Sequence, residues 1–136
     1  DDKLQRAREL FGDEREDYPA ALERYYQQGP PADWQAAYIS AYSTAHPAED
    51  WAESWAHYLH MLDCLETAAG YGVTGVLAWD DSLDGWLQAW PQFTVLLNEL
   101  NHAMGLRDAY PFVIRNAVAD KLRFIHQLLR AAAHSS

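Results

Sequence analysis

Residues 45–60 read AHPAEDWAESWAHYLH, and the spacing of apolar side chains in and after this stretch decides the fold class. Large apolar residues recur at intervals of three and four, which is the period of an amphipathic α-helix. This stripe consists of Trp51, Trp55, Tyr58, Leu62 and Leu65. Pro47 is typical of a first helical turn, and Gly70 is typical of a position just beyond a last one. We therefore predict one long helix from Pro47 to about Ala69.

The opposite side of this predicted helix is polar and carries no Lys or Arg. It holds Glu49, Glu53, His57 and His60, which fall within an arc of about 80° on a helix. Such a line is what the solvated face of a surface helix shows, and it is also a line of side chains that can bind a metal. The absence of Lys and Arg, together with the flanking Tyr42 and His46, favours chemistry over a merely solubilising role.

The remaining sequence also has helical periodicity, so we expect an all-α fold of five to six helices in a single helical domain, residues 1–136. Further helices are expected at about 3–11, 18–28 and 34–44, then up to Gly105, and finally from Pro111 onward. Asp33 is placed to cap the helix at 34–44, and Pro91 either interrupts or begins the helix that precedes Gly105. The glycine-rich residues 70–84 predict a loop, either a packed connection or the rim of a substrate cleft.

The charge is distributed unevenly along the chain. There are 20 acidic and 10 basic residues, a formal charge of −10, and the segment 25–106 contains no Lys or Arg at all. Because contacts to phosphates require Lys and Arg, this distribution argues against a nucleic-acid partner and favours a cation or a basic ligand. No segment reaches the roughly 18 apolar residues of a membrane span, so no membrane partner is expected. The single cysteine, Cys64, cannot form an internal disulfide, which fits a cytoplasmic location.

Three stretches of the sequence point to one family when they are taken together: residues 45–60 quoted above, LFGDER at residues 10–15, and MGLRDAYPFV at residues 104–113. They resemble the bacterial zinc-binding metallopeptidases, which are similar to gluzincins. The resemblance covers nearly the whole chain in order and implies the helical subdomain of a zincin-like metallopeptidase. The activity that it implies is hydrolysis of peptide bonds by metal-activated water, with a peptide or protein as substrate.

The resemblance also implies roles for individual residues. In such peptidases an HExxH helix supplies two histidines and the catalytic base, and an E-x-x-A-E pattern on a later helix supplies a glutamate ligand. Glu49, Ala52 and Glu53 match that later pattern, which makes Glu49 the implied zinc ligand and Glu53 its supporting partner one turn on. Tyr42 matches a tyrosine that precedes the ligand by seven residues and stabilises the oxyanion through its hydroxyl.

The HExxH motif itself does not occur in these 136 residues. Catalytic zinc requires three protein ligands, an open position for water and a base, so Glu49 alone cannot hold it. The resemblance therefore implies zinc only together with an HExxH segment of the same protein, which is expected upstream of Asp1.

Two other metal sites are open alternatives. His57 and His60, with Glu53 alongside, form a weaker ligand set on the same helix. The Glu99-x-x-His102 pair is one of the two such motifs that a di-metal bundle would need, and we favour an exposed His102 at a helix end.

Some residues also have simpler structural interpretations. Tyr42 is equally typical of helix packing, and Cys64 is expected to be a packed residue rather than a nucleophile. The alternative function, from a different class, is a non-catalytic helical protein-interaction module whose exposed Trp residues meet a partner.

Overall fold

The structure is a computed structural model that describes residues 1–73 and 82–135. Its α-helices are α1 (Asp2–Phe11), α2 (Tyr18–Gln28), α3 (Pro47–Gly70), α4 (Leu83–Ala103) and α5 (Asn116–Ala133). Two short 3-10 turns, Trp34–Ala36 and Tyr42–Thr44, lie between α2 and α3. No strand occurs in the described residues, so the predicted all-α fold of five to six helices is confirmed. No helix of the described ranges is long and apolar enough to cross a bilayer.

The segment 34–44 is not the α-helix that its sequence predicts. The Asp33 side chain makes no capping hydrogen bond there. Instead, Ser43 Oγ donates to the Ser40 carbonyl at 2.6 Å, and Ser40 Oγ accepts from the Ser43 N–H at 3.1 Å. Serine hydroxyls compete with helical backbone hydrogen bonds in this way, which explains why a tight turn replaces a continuous helix.

The last two helices differ from prediction at their first residues. Helix α4 begins at Leu83, where Ser82 Oγ accepts from the Gly85 N–H at 3.1 Å, and it continues through Pro91. Helix α5 begins at Asn116, five residues after the predicted start at Pro111. The predicted loop at residues 70–84 lies largely outside the described residues.

The chain forms two compact units, Asp1–His57 with Val113–Ser136, and Tyr58–Phe112. In the first unit, α1 packs against α5. Phe11 and Trp51 meet edge to face with ring centroids 5.1 Å apart, and Phe124 of α5 lies 6.2 Å from Trp51. Complete burial of a large apolar side chain stabilises a fold by roughly 1.5–3 kcal/mol, so this cluster helps to stabilise the first unit.

Gly12 fixes how α1 meets the start of α3. Its φ of +96° is rarely adopted by L side chains, and its N–H donates to the Arg8 carbonyl at 2.9 Å to end α1. A Cβ at this position would also lie 3.0 Å from Pro47 Cγ. Glycine is therefore required by conformation and by close approach, which gives the LFGDER stretch a structural explanation.

The second unit is built on aromatic residues of α3 and α4. Tyr58 lies 5.4 Å from Trp86, and Trp90 meets Tyr110 edge to face at 4.9 Å. The Asn98 amide fixes Tyr110 by donating to its carbonyl and accepting from its N–H, both at 3.0 Å. The MGLRDAYPFV stretch is thereby attached to α4.

Three polar side chains of α3 are buried, and one of them belongs to the predicted polar face. Asp50, Ser54 and His57 lie in the interior, and His57 is the one that the sequence places on the polar face. The buried Asp50 is paired with Lys121 of α5, whose Nζ donates to Asp50 Oδ2 at 2.6 Å and to the Ala37 carbonyl at 2.7 Å. The exposed fraction of these two charged side chains is 5% for Lys121 and 1% for Asp50. Burial raises the pKa of Asp50 to about 6, and the charge of Lys121 limits the rise.

Replacing Lys121 by Met leaves the Asp50 carboxylate buried without its counter-charge, so we expect the free energy of unfolding near pH 8 to fall by about 3–5 kcal/mol. The pKa of Asp50 then rises beyond the value of about 6 that it has beside Lys121. A native-state pKa raised above that of the unfolded chain means that the native state binds the proton more tightly. The variant should therefore regain stability as the pH falls from about 8 to about 5.

Urea titrations of the wild type and K121M at both pH values measure this effect. The double variant D50N/K121M has no buried charge and should recover most of the loss, with little dependence on pH. Equal destabilisation of K121M at both pH values would contradict a buried charge as the cause.

Candidate functional site

The first turn of α3 is organised by a buried histidine. His46 is 4% exposed, and its Nδ1 accepts from the Ala48 N–H at 3.0 Å. Because Nδ1 accepts a hydrogen bond, a neutral His46 carries its proton on Nε2, which donates to the Glu16 carbonyl at 2.8 Å. His46 thus links the loop before α2 to the first turn of α3, where Glu49 lies.

Tyr18 of α2 reaches Glu49 from the other side of this link. It is the first residue of α2, where Asp17 Oδ1 accepts from the Ala20 N–H at 3.0 Å and Pro19 occupies the second position. Its ring meets the His46 ring edge to face at 5.0 Å. The Tyr18 hydroxyl donates to Glu49 Oε1. A capped helix start and a buried histidine therefore position this phenol.

Tyr42 brings a second phenol to the same carboxylate. It lies half-buried in the second 3-10 turn, and its ring meets Tyr25 edge to face at 5.9 Å. Burial and the charge of Glu49 raise the pKa of Tyr42, and the hydrogen bond to Glu49 raises the pKa of Tyr18. Both phenols therefore stay protonated near neutral pH and can donate hydrogen bonds.

Glu53, one turn further along α3, has different neighbours. Its Oε2 accepts from Ser40 Oγ at 3.3 Å and lies 4.0 Å from His57 Nε2. Ser40 belongs to the segment that carries Tyr42, so this hydrogen bond attaches that segment to α3. The structure therefore brings Glu49 together with Tyr42, and Glu53 together with Ser40 and His57.

A zinc ion fits Glu49 as one ligand of a larger set. The carboxylate is half-buried, holds a hydrogen bond on one oxygen, and lies in a segment without Lys or Arg. Across residues 1–73 and 82–135, however, no three His, Cys, Asp or Glu side chains converge as a metal site. The described residues therefore offer a single carboxylate ligand at this place.

Neither alternative metal pair belongs to a group of three converging ligands in the described residues. His57 is buried and His60 is exposed. His102 is exposed at the end of α4, as predicted, and its Nε2 lies 2.5 Å from Asp108 Oδ1. Cys64 is half-buried, and burial raises the pKa of its thiol, which disfavours the thiolate that a nucleophile needs.

A family model described as "Putative zinc-binding metallo-peptidase" matches residues 1–128. The chain belongs to this family. An uncharacterized protein of Mycobacterium bovis and two of Mycobacterium tuberculosis are each 44% identical to it over 144 residues, covering 97% of the chain. The match covers 41% of each relative, so the chain spans about two fifths of the length of these curated relatives. No solved structure matches it.

Two features of the site were not predicted from the sequence. Tyr18 was expected only as the start of a helix, and Asp50 was not singled out from the acidic stretch. Tyr18 lies 31 residues before Glu49, and Asp50 lies 71 residues before Lys121. Local spacing carries no signal for contacts of that length. The one available hint was Lys121 itself, which lies on the same side of α5 as the apolar Val118, Leu122 and Ile125.

Replacing Glu49 by Gln should lower the pKa of Tyr18 towards its ordinary value of about 10, because a charged acceptor that stabilises the neutral phenol is lost. Absorbance of tyrosinate at 295 nm during an alkaline titration measures the change. The E49Q curve should show about one more tyrosine ionised near pH 11 than the wild type. Glu66→Gln, at an exposed position on the same helix, should leave the curve unchanged, and a shift of equal size in E66Q would contradict the assignment.

Proposed function

We propose that this chain is part of a zinc-dependent metallopeptidase and that Glu49 supplies the downstream glutamate ligand of its zinc site. The observation that carries the proposal is the setting of Glu49: a half-buried carboxylate at the start of α3, with protonated phenols beside it. Membership of a family described as zinc-binding supports the choice of metal. Two histidines and the catalytic base would come from an HExxH segment of the same protein, upstream of Asp1.

Zinc in such a site supplies a water molecule of lowered pKa for attack on a peptide carbonyl. Tyr42 keeps its proton near neutral pH and can donate a hydrogen bond to the oxyanion that forms in the attack. Glu53 is a positioning residue in this proposal. By accepting from Ser40, it holds the Tyr42 turn against the helix that carries Glu49.

The substrate in this proposal is a peptide or protein. The segment 25–106 contributes acidic residues without Lys or Arg, which favours basic peptides over acidic ones through the electrostatic field of the surface. We place the reaction in the cytoplasm, since the chain has a single cysteine.

Zinc binding tests the ligand role of Glu49 directly. We expect the full-length protein that contains this chain to bind one zinc ion tightly, and this chain alone to bind it far more weakly, because one carboxylate is not a complete site. In the full-length protein, Glu49→Gln should weaken zinc binding by at least about 100-fold, because the site loses one of its three protein ligands. Competition with a chromophoric chelator and metal analysis of the dialysed protein measure affinity and stoichiometry.

Glu66→Gln is the matched control, because it removes an exposed carboxylate of the same helix. It should bind zinc as the wild type does. Wild-type zinc affinity in E49Q would contradict the proposed ligand. Tight stoichiometric zinc in this chain alone would instead direct attention to His57 and His60.

The role of Tyr42 is separable from metal binding. Tyr42→Phe in the zinc-loaded full-length protein should keep the metal and lower kcat for hydrolysis of dye-quenched casein by about 10²–10³, the usual effect of removing one oxyanion donor. A Tyr26→Phe control, which removes a phenol from an exposed side chain, should keep wild-type kcat. Unchanged kcat in Y42F would leave Tyr42 as a packing residue.

The alternative function is a non-catalytic protein-interaction module. The exposed apolar surface that supports it is not the one that the sequence predicts. None of the Trp residues in the described part of the chain is exposed. Helix α4 instead exposes the apolar side chains Val95, Leu96 and Leu100, and Met104, just after the end of the helix, is exposed as well. A protein that binds through this face would be indifferent to zinc, so the same zinc measurement separates the two functions.

A further inference from the structure

We infer that Tyr18 is a positioning residue for the metal ligand, holding Oε1 of Glu49 so that Oε2 is the oxygen presented to zinc. The inference rests on the proposed function, in which Glu49 is a ligand. It adds a residue that neither the sequence pattern nor the family description assigns, and zinc, when bound, would then be held by Glu49 through one oxygen.

The contact that carries the inference is the hydrogen bond from the Tyr18 hydroxyl to Glu49 Oε1. It joins residues 31 positions apart, on different helices of the same compact unit. A carboxylate on a flexible glutamate stem can otherwise rotate and bind a metal through either oxygen or through both. A donor fixed on one oxygen removes that freedom.

The phenol can serve this purpose because its own position is fixed. Tyr18 follows the helix cap formed by Asp17, and its ring packs on the buried ring of His46. His46 in turn is held by hydrogen bonds to Glu16 and Ala48, the latter in the same helical turn as Glu49. The buried side chain of His46 therefore helps to fix both the Tyr18 hydroxyl and the helical turn that carries Glu49.

A hydrogen bond from a neighbouring group to a metal-binding side chain orients the ligand before the metal arrives. Loss of such a partner usually weakens metal binding by about 10–100-fold. The partner of a carboxylate ligand also influences coordination number, since a glutamate released from its donor can bind through both oxygens. These two effects give two independent measurements.

The experiment uses the full-length protein that contains this chain, in wild-type form and as Y18F, Y26F and E49Q. Phe keeps the ring that packs on His46 and removes only the hydroxyl. Zinc affinity is measured by chelator competition, and cobalt is substituted for zinc to record its visible absorption, which weakens when four-coordinate metal becomes five-coordinate. Thermal unfolding of the metal-free proteins reports whether the fold is retained.

We expect Y18F to bind zinc about 10–100-fold more weakly than the wild type and to show weaker cobalt absorption, with the unfolding temperature of the metal-free form nearly unchanged. Tyr26 is an exposed tyrosine of the same helix, and Y26F should match the wild type in every measurement. A purely structural role of Tyr18 would lower the unfolding temperature without altering the cobalt spectrum.

The outcomes separate this inference from the proposal on which it rests. If E49Q loses zinc while Y18F keeps both wild-type affinity and the wild-type cobalt spectrum, Glu49 remains the ligand and the role of Tyr18 is overturned. If E49Q binds zinc as tightly as the wild type, the proposed ligand is wrong, and the role of Tyr18 is overturned with it.

Discussion

The ammonium of Lys121 neutralises a carboxylate that is almost completely withdrawn from water, and the helix that carries the candidate site depends on this pairing. An unpaired buried carboxylate would cost several kcal/mol, so Asp50 can face the interior only where α5 supplies a cation. The same ammonium also holds the Ala37 carbonyl, three residues before Ser40. One buried charge therefore connects α5, the beginning of α3 and the segment that leads to Tyr42.

The fold class was accessible from the sequence because apolar residues at intervals of three and four mark a helix whatever it packs against. The features that were not predicted correctly have local or long-range causes. In the segment 34–44, the hydroxyls of Ser40 and Ser43 form hydrogen bonds with backbone groups. The spacing of apolar residues does not indicate such bonds. On α3, the burial of the Asp50 side chain depends on Lys121, which lies 71 residues away. A polar residue that is buried because of a distant partner cannot be recognised from the sequence of its own helix alone.

The candidate site was predicted unevenly for the same reason. Glu49 and Tyr42 were identified by resemblance, and the structure places them beside each other, while their roles stay predictions. Glu53 was expected beside the ligand, and its contacts lie with Ser40 and His57. Tyr18 was missed because its contact with Glu49 joins two helices. Sequence spacing identifies residues on one helix, whereas the neighbours that orient them come from tertiary packing.

The separation of Asp50 from Lys121 also constrains the order of events during protein synthesis. The ribosome extends a chain from its N-terminus, so Asp50 emerges 71 residues before the group that neutralises it. A nascent chain that has not yet reached Lys121 can form the turns of α3, but it cannot bury this carboxylate favourably. The compact unit around Glu49 is thus completed only after residues 58–112 have been translated, and until then its first part must wait, incompletely packed, for α5.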